Sequence, residues 1–551
     1  MFRMKIISSL EKCFLDGDFD AIPELTQASM LRNERYSFCI AFTMSGEFNV
    51  KGVRCAVKGN CAANLETFRV GHVPVEMAVA KTNCDDNYLR YTPGLYPDLL
   101  TPYTGERVPL CPDYIQSMWV TITPDSQTMA GDYEIEVTLT DSEGTLATGL
   151  LPLRIIDAEL PPQRLALSQF LHCDCLAQYY NVPVFEDRHF ELIESFLEMS
   201  VYYGIDTALT PIFTPPLDTT VGGERLTTQL IVVNVNDGKY SFDFSLLDRW
   251  VDICERVGIY RYEMSYLFSQ WGAEHAPKVM ACVDGEYKRI FGWETDACGD
   301  EYATFLRQVL PALIKHMNGR GIGPDRMIFH VSDEPVGKHL DNYRRAKAIV
   351  APLLDGYEMY DSLSDIAFYQ ESVVSRPIPA INYVEPFLEA GVKDLWVYYC
   401  VAQNIDVSNR FISMPSARNR VIGTQFYKYN IGGFLHWGLN FYNTQESTRP
   451  VNPYRETDCD YFGPAGDAFS VYPGADGLPL ASLRLVVFYD ALQDLRAFEL
   501  CEKLYSREFV MSLIEERGPI TFKNYPKDAA YLLELREKIN AAIAAKINCN
   551  A

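Results

Sequence analysis

From Gln163 onward, short apolar runs alternate with stretches carrying apolar residues at helical spacing, and this rhythm constrains the fold more than any other feature. The runs fall at 165–170, 205–210, 259–267, 327–331, 357–361, 379–383, 395–400 and 433–437. They have the length and continuity of strands buried on both faces. Between them, Leu247, Trp250, Cys254 and Val257 recur every three or four residues and stop at Gly258; Phe190, Ile193 and Leu197 do the same before Gly204. Leu485, Phe488, Leu492, Leu495 and Phe498 mark a further helix. Eight strands, each followed by a helix or long crossover, is the count of a (β/α)8, TIM-type barrel. A doubly wound sheet would use the same alternation, but it ordinarily opens on a Gly-rich first βα turn, and the sequence has none.

Before that point the chain alternates with period two and turns often. Met118-Trp-Val-Thr-Ile-Thr and Asp132-Tyr-Glu-Ile-Glu-Val-Thr-Leu-Thr read as half-buried strands; Ser142-Glu-Gly-Thr is a turn, and Leu151-Pro-Leu-Arg-Ile-Ile is another strand. An antiparallel sandwich is expected, with Pro161-Pro162 stiffening the junction. The expected organisation is therefore multidomain, β followed by α/β: an N-terminal β-sandwich over 1–160, a (β/α)8 catalytic domain over 163–500, and a C-terminal helical extension over 501–551 that ends in an Ala-rich helix. With 551 residues, 48% hydrophobic and 13% aromatic, the chain can fill both cores.

Charge removes several partners. Lys plus Arg number 49 against 73 Asp plus Glu, a net charge of −24, which argues against a nucleic acid or an anionic membrane. No stretch approaches the ~18–20 apolar residues of a membrane span. The basic N-terminus is followed by only a few apolar residues before Glu11 and Lys12, unlike a secretory signal. The 15 cysteines form no CxxC pair, and Cys173-x-Cys175 has no second pair to complete a zinc set. With no HExxH either, no metal and no cofactor are expected. A reducing, cytoplasmic compartment is the economical reading, and a homo-oligomer is left open.

The sharpest local feature is Phe329-His330-Val331-Ser332-Asp333-Glu334-Pro335, an apolar strand running into two adjacent carboxylates and a proline. In a (β/α)8 barrel the C-terminal ends of strands carry the catalytic side chains. Pro335 cannot continue the ladder and fixes the chain's exit. The competing reading is that Asp333 and Glu334 cap the next helix. Two neighbouring carboxylates can divide acid and base duties when their surroundings separate their pKa values, as glycosidic bond cleavage needs. Adjacent residues do not easily straddle an anomeric carbon; they suit a substrate that supplies its own nucleophile, with Glu donating a proton and Asp orienting a 2-acetamido group.

Other strand ends supply candidate sugar contacts. Tyr398 lies on the seventh strand, in Trp396-Val-Tyr398-Tyr399, where alternation puts one tyrosine inside and the other outside. Trp437 ends the eighth strand, followed by Gly-Leu-Asn440; aromatic faces suit a pyranose. Trp271 follows the third strand, His172 and Asp174 the first, and Asp218 the second, after Pro215-Pro216. Arg484 starts the last long helix. Each has an ordinary structural reading beside the functional one: packed loop, satisfied backbone, Asx turn or salt bridge. Glu263, within Arg-Tyr-Glu-Met, reads equally as a second carboxylate or as part of a buried ion pair.

The segment Phe329 to Pro335 resembles the catalytic motif of glycoside hydrolase family 123. The similarity continues in order through Pro93-Gly-Leu-Tyr-Pro-Asp98, Thr214-Pro-Pro-Leu-Asp218-Thr, Gln270-Trp271-Gly-Ala, Phe291-Gly-Trp293, Gly433-Phe-Leu-His-Trp437-Gly and Ser482-Leu-Arg484-Leu. The resemblance implies a β-sandwich, a (β/α)8 catalytic domain, and β-N-acetylgalactosaminidase activity by a retaining, substrate-assisted route through an oxazolinium intermediate. It implies Glu334 as general acid/base and Asp333 as the carboxylate that polarises the acetamido group, with Trp437 and Tyr398 walling its pocket. A carbohydrate bearing a terminal amino sugar is the expected substrate. Two other readings stay open: a glycosidase of other specificity using Glu334 with a distant nucleophile such as Glu263, and a non-catalytic carbohydrate-binding protein.

Overall fold

The computed structural model describes residues 1–46, 51–61, 63–80 and 84–550. The N-terminal region contains strands β1 (Phe2–Ser8), β2 (Ala28–Leu31), β3 (Tyr36–Met44), β4 (Lys51–Gly59), β5 (Ala63–Val75), β6 (Gly94–Pro102), β7 (Val108–Leu110), β8 (Gln116–Pro124), β9 (Gly131–Thr140) and β10 (Thr145–Ile156). They form two five-stranded sheets, ordered β1-β3-β8-β5-β6 and β2-β10-β9-β4-β7. Pairing is antiparallel except for β2 with β10, which is parallel and departs from the expected all-antiparallel arrangement.

Alternation along these strands decides the packing. Phe38, Ile40 and Phe42 of β3 and Met118, Val120 and Ile122 of β8 meet Ile135, Val137, Leu151 and Leu153 of the second sheet. The intervening Cys39, Ala41 and Trp119 face the other way, into a core shared with the α/β region. The first sheet is thus covered on both faces, which explains why β8 reads as nearly continuous apolar sequence.

The α/β region carries β11 (Ala166–Gln169), β12 (Thr207–Thr210), β13 (Val232–Asn236), β14 (Lys239–Asp243), β15 (Arg261–Met264), β16 (Val279–Val283), β17 (Glu286–Phe291), β18 (Met327–Phe329), β19 (Glu358–Ser362), β20 (Arg376–Ile378), β21 (Trp396–Tyr398), β22 (Gly433–His436), β23 (Val471–Pro473) and β24 (Pro479–Ala481). Eight of them form one sheet ordered β20-β19-β18-β15-β12-β11-β22-β21, with every neighbouring pair parallel. A bridge between Ala380 and Tyr398, with the Tyr398 N–H on the Pro379 carbonyl at 3.1 Å, brings the two edges together in a nearly closed barrel.

Two local readings need correction. The sixth strand is β20, not 379–383: Pro379 has no N–H for the ladder, and Ile381–Tyr383 turn into a 3-10 helix. The sequence reading also passed over β13, β14, β16 and β17, which make a four-stranded sheet from insertions after β12 and β15. Both hairpins turn on Asp-Gly pairs, Asp237-Gly238 and Asp284-Gly285, all four residues at positive φ, the chemistry of a type I′ turn.

The helix Ser245–Val257 ends at Gly258 in the left-handed conformation, as its spacing predicts. Helix Leu483–Leu504 and the terminal helix Ala529–Asn550 pack on the β-rich region. Buried Arg536 joins Glu34 (2.6 Å) to Asp494 (2.8 Å). No helix among the described residues is long and apolar enough to cross a membrane.

Candidate active site

Strand β18 ends at Phe329, and the next five residues form a turn held from two sides, by β19 and by the loop after β15. Asp361 of β19 accepts the N–H groups of Val331 (3.0 Å) and Ser332 (3.2 Å). Glu334 donates its N–H to the Ser362 carbonyl at 3.0 Å, and its φ of +42° is a left-handed conformation that costs a non-glycine residue on the order of 1 kcal/mol. The Ser332 hydroxyl donates to the Ser269 carbonyl (2.8 Å) and accepts from Gly272 (3.2 Å) and Ala273 (3.1 Å). Trp271 gives its N–H to the Asp333 carbonyl at 2.8 Å. Gly272 has φ +118°, and a Cβ there would lie 2.7 Å from the His339 ring, so the loop after Trp271 needs glycine.

This bracing turns both carboxylates into a cavity of about 150 Å³ at the C-terminal ends of the barrel strands. Asp333 Oδ1 accepts from the Tyr266 hydroxyl at 3.2 Å, and Glu334 Oε1 from the Tyr398 hydroxyl at 2.6 Å. Neither carboxylate caps a helix. The next helical turn, Gly337–His339, starts after Val336, and the helix Leu340–Val350 follows it. Burial, and then the charges of Glu334 and Asp218, push the Asp333 carboxyl well above its ordinary value, while Tyr266 and His330 pull it back. Burial also keeps both tyrosine hydroxyls protonated, as donors.

Asp218, Trp271, Tyr398 and Trp437 line the same cavity, with Leu217, Cys400, Glu446 and Phe462. Asp218 sits at φ +47° and gives its N–H to Gln270 Oε1 at 2.8 Å. Burial pushes its carboxyl up to about 7, with Arg225 opposing and Glu334 and Asp467 adding to the rise. Trp271 is 45% exposed, a ring at the rim. Trp437 is anchored by its Nε1–H on Asp467 Oδ2 at 2.9 Å. Tyr398 packs inside the barrel, whereas Tyr399 points to the helix layer, as alternation requires.

The remaining sequence candidates lie outside the cavity lining. His172 is buried: its N–H meets Asn440 Oδ1 at 2.8 Å and its Nε2 meets the Trp437 carbonyl at 2.7 Å. Burial, reinforced by Arg225, lowers its pKa to about 4, so the ring is neutral. Asp174 forms a buried bidentate pair with Arg225 (2.7 and 2.8 Å), whose other nitrogen holds the Leu217 carbonyl at 2.9 Å. Asn440 is spent on the His172 backbone. These three stand behind the wall and hold the Asp218 loop and Trp437. Arg484 pairs with Asp98 of β6 at 2.8 and 2.9 Å and locks the β-rich region to the barrel. In each case sequence position placed the residue near a strand or helix end but did not show which way its side chain turned.

Sequence reasoning missed Tyr266, His330 and Asp361. Tyr266 stands two residues past β15, at the kind of strand end already used to find Trp271. Glu263 does not reach the cavity: it accepts from Ser168 and, at 2.6 Å, meets His330 Nε2, with no exposed surface.

A parallel barrel with a braced carboxylate pair at a strand end is the arrangement of a glycoside hydrolase. The family model for the glycoside hydrolase 123 catalytic domain matches residues 170–501. The chain belongs to glycoside hydrolase family 123. A family 123 glycoside hydrolase from Clostridium perfringens, studied for the details of glycolipid glycan hydrolysis, superposes with TM-score 0.73 at 14% identity, over 100% of this chain and 98% of that one. A family 39 glycoside hydrolase from Bacteroides cellulosilyticus WH2 gives TM-score 0.33 at 11% identity, over 88% and 83% of the two chains, too low to carry an argument. No curated protein matches by sequence.

Proposed function

We propose that this glycoside hydrolase is a β-sandwich joined to a (β/α)8 barrel and releases terminal β-linked N-acetylgalactosamine by a retaining, substrate-assisted mechanism. The observation that supports this reading is the adjacent pair itself: Asp333 and Glu334 enter one cavity side by side, each on its own tyrosine hydroxyl. Glu334 donates its proton to the glycosidic oxygen as the C1–O bond breaks. The acetamido carbonyl oxygen forms the new bond to C1, giving an oxazolinium ring. Asp333 accepts the acetamido N–H, and that donor favours its ionised form against the burial that opposes it. Water then attacks C1, Glu334 takes its proton, and the ring reopens to the acetamide, so the β-configuration is retained. Trp437 and Tyr398 would wall the acetamido group, and Trp271 and Asp218 would meet the rest of the sugar.

The alternative with Glu263 as nucleophile is disfavoured by its pairing with His330. Asp218 is the carboxylate that a separate-nucleophile route would use, since it shares the cavity. The test is kinetic. Glu334→Gln is expected to abolish turnover of substrates with poor leaving groups, and Asp333→Asn to slow the first step by roughly 100-fold or more. Full activity in Asp333→Asn, or a covalent glycosyl adduct trapped on Asp218, would overturn the substrate-assisted reading.

A further inference from the structure

A histidine inside an apolar barrel is ordinarily neutral, because burial penalises the charged ring. His330 has no exposed surface, yet it lies between two carboxylates that are equally enclosed. Its Nε2 is 2.6 Å from Glu263 Oε1, and its Nδ1 is 3.7 Å from Asp361 Oδ1. Among the described residues Nδ1 has no hydrogen-bond partner, and the Asp361 carboxylate is the acidic group beside it. Burial works against protonation, but Asp361 and Glu263 outweigh it and raise the ring to about 10.

The imidazolium is in contact with the site without entering it. The Tyr266 ring stacks on His330, centroids 4.5 Å apart and planes at 24°, a cation on an aromatic face. The same tyrosine gives its hydroxyl to Asp333 Oδ1 at 3.2 Å. Asp361 meanwhile fixes the backbone that leads into Asp333, through Val331 and Ser332. We propose that His330 is a positioning residue: held as a buried cation between Glu263 and Asp361, it fixes the Tyr266 ring and, through that hydroxyl and its own charge, sets where Asp333 points and the pH at which it ionises. This deepens the functional reading above and rests on it only for the role given to Asp333.

Every charged or titratable neighbour enters the balance. Asp361 also takes a hydrogen bond from Tyr343 and senses half-buried Lys347 from the helix Leu340–Val350. Asp333 faces Glu334 and Asp218, which raise it, and Tyr266 and His330, which lower it. Tyr398 and Cys400 also sense the Asp333 charge. Removing either the cation or the hydroxyl that relays its position takes away one of the two groups that favour ionisation of Asp333, while burial, Glu334 and Asp218 still oppose it. Its midpoint must therefore move up.

The experiment compares the full-length protein with His330→Gln and Tyr266→Phe. For wild type and both variants, kcat/KM on an aryl 2-acetamido-2-deoxy-β-glycoside is measured across pH. The acid limb is expected to move up by about one pH unit in each variant. That is a loss of about tenfold below the limb, recovered as pH rises. A loss of equal size at every pH, or an unmoved limb, would overturn the proposal, because a merely structural role predicts one of those. Infrared titration of the unliganded protein follows the protonated Asp333 carboxyl directly, with Asp333→Asn assigning the band, and the midpoint is expected to rise in both variants. If the wild type turns over no 2-acetamido glycoside, the functional reading fails, and the infrared shift alone decides this inference. If His330→Gln does not fold, Tyr266→Phe decides it by the same criteria.

Discussion

Tyr398→Phe isolates one interaction in the site. The tyrosine ring is 7% exposed and forms part of the cavity wall, so phenylalanine preserves the surface and deletes only the hydroxyl. That hydroxyl is 2.6 Å from Glu334 Oε1, on a residue whose backbone is already in a left-handed conformation. A hydrogen bond to a charged group contributes about 1.5–3 kcal/mol. If it operates in the transition state, its loss lowers kcat/KM by roughly 10- to 150-fold at about 1.4 kcal/mol per decade. The loss should depend on the leaving group. Under the proposed mechanism, proton donation by Glu334 governs the rate where the departing alcohol is a poor leaving group, and the full factor should appear; for an activated aryl oxide it should shrink toward a few-fold. The assay is steady-state kinetics across aryl 2-acetamido-2-deoxy-β-galactosides of graded leaving-group acidity, with thermal melting as a fold control. A loss below threefold on the poorest leaving group, or the same loss on every substrate, would refute the reasoning that the Tyr398 hydroxyl acts through Glu334 in proton donation.

Two further predictions concern stability. Burial raises the Asp490 carboxyl from 3.8 to about 7, so its contribution to stability is present below about pH 4 and is lost as pH rises through 7. At about 1.4 kcal/mol per pH unit, Asp490→Asn should stabilise the fold by up to about 4 kcal/mol at pH 8 and by little at pH 4, read by urea unfolding; equal effects at both pH values would contradict this. Arg484→Met removes the bidentate partner of buried Asp98 and leaves it the Tyr472 hydroxyl at 2.6 Å, with Lys12 and Arg410 as the remaining charges that sense it, and should cost about 3–5 kcal/mol. Replacing Asp98 by Asn as well should recover part of that loss, which a simple packing defect would not permit.

The barrel was legible because its strands are short apolar runs separated by helical spacing, a contrast that survives in a single sequence. The carboxylate pair stood out because a short apolar strand runs straight into Asp-Glu-Pro; helix capping was the other reading of it, and the structure instead turns both side chains into one cavity. Side-chain direction was not. His172, Asp174, Asn440 and Arg484 sit near strand or helix ends, but buried partners claim them: Trp437 and Asn440, Arg225, the His172 backbone, and Asp98. Those partners lie tens to hundreds of residues away, so no local spacing reveals them. The Glu263–His330–Asp361 cluster was hidden for the same reason, since it joins three neighbouring strands. The inserted sheet was different: Asp237-Gly238 and Asp284-Gly285 are strong hairpin signals that the apolar rhythm of the barrel overshadowed.

The central claim is that the substrate's own acetamido group is the nucleophile. The measurement that tests it most directly is a panel of aryl β-glycosides, matched in leaving group, with and without the 2-acetamido substituent, with the anomeric configuration of the first product followed by NMR. The account predicts turnover of 2-acetamido substrates alone, with the β-anomer released first. Comparable turnover of substrates lacking the acetamido group, or release of the α-anomer, would contradict it.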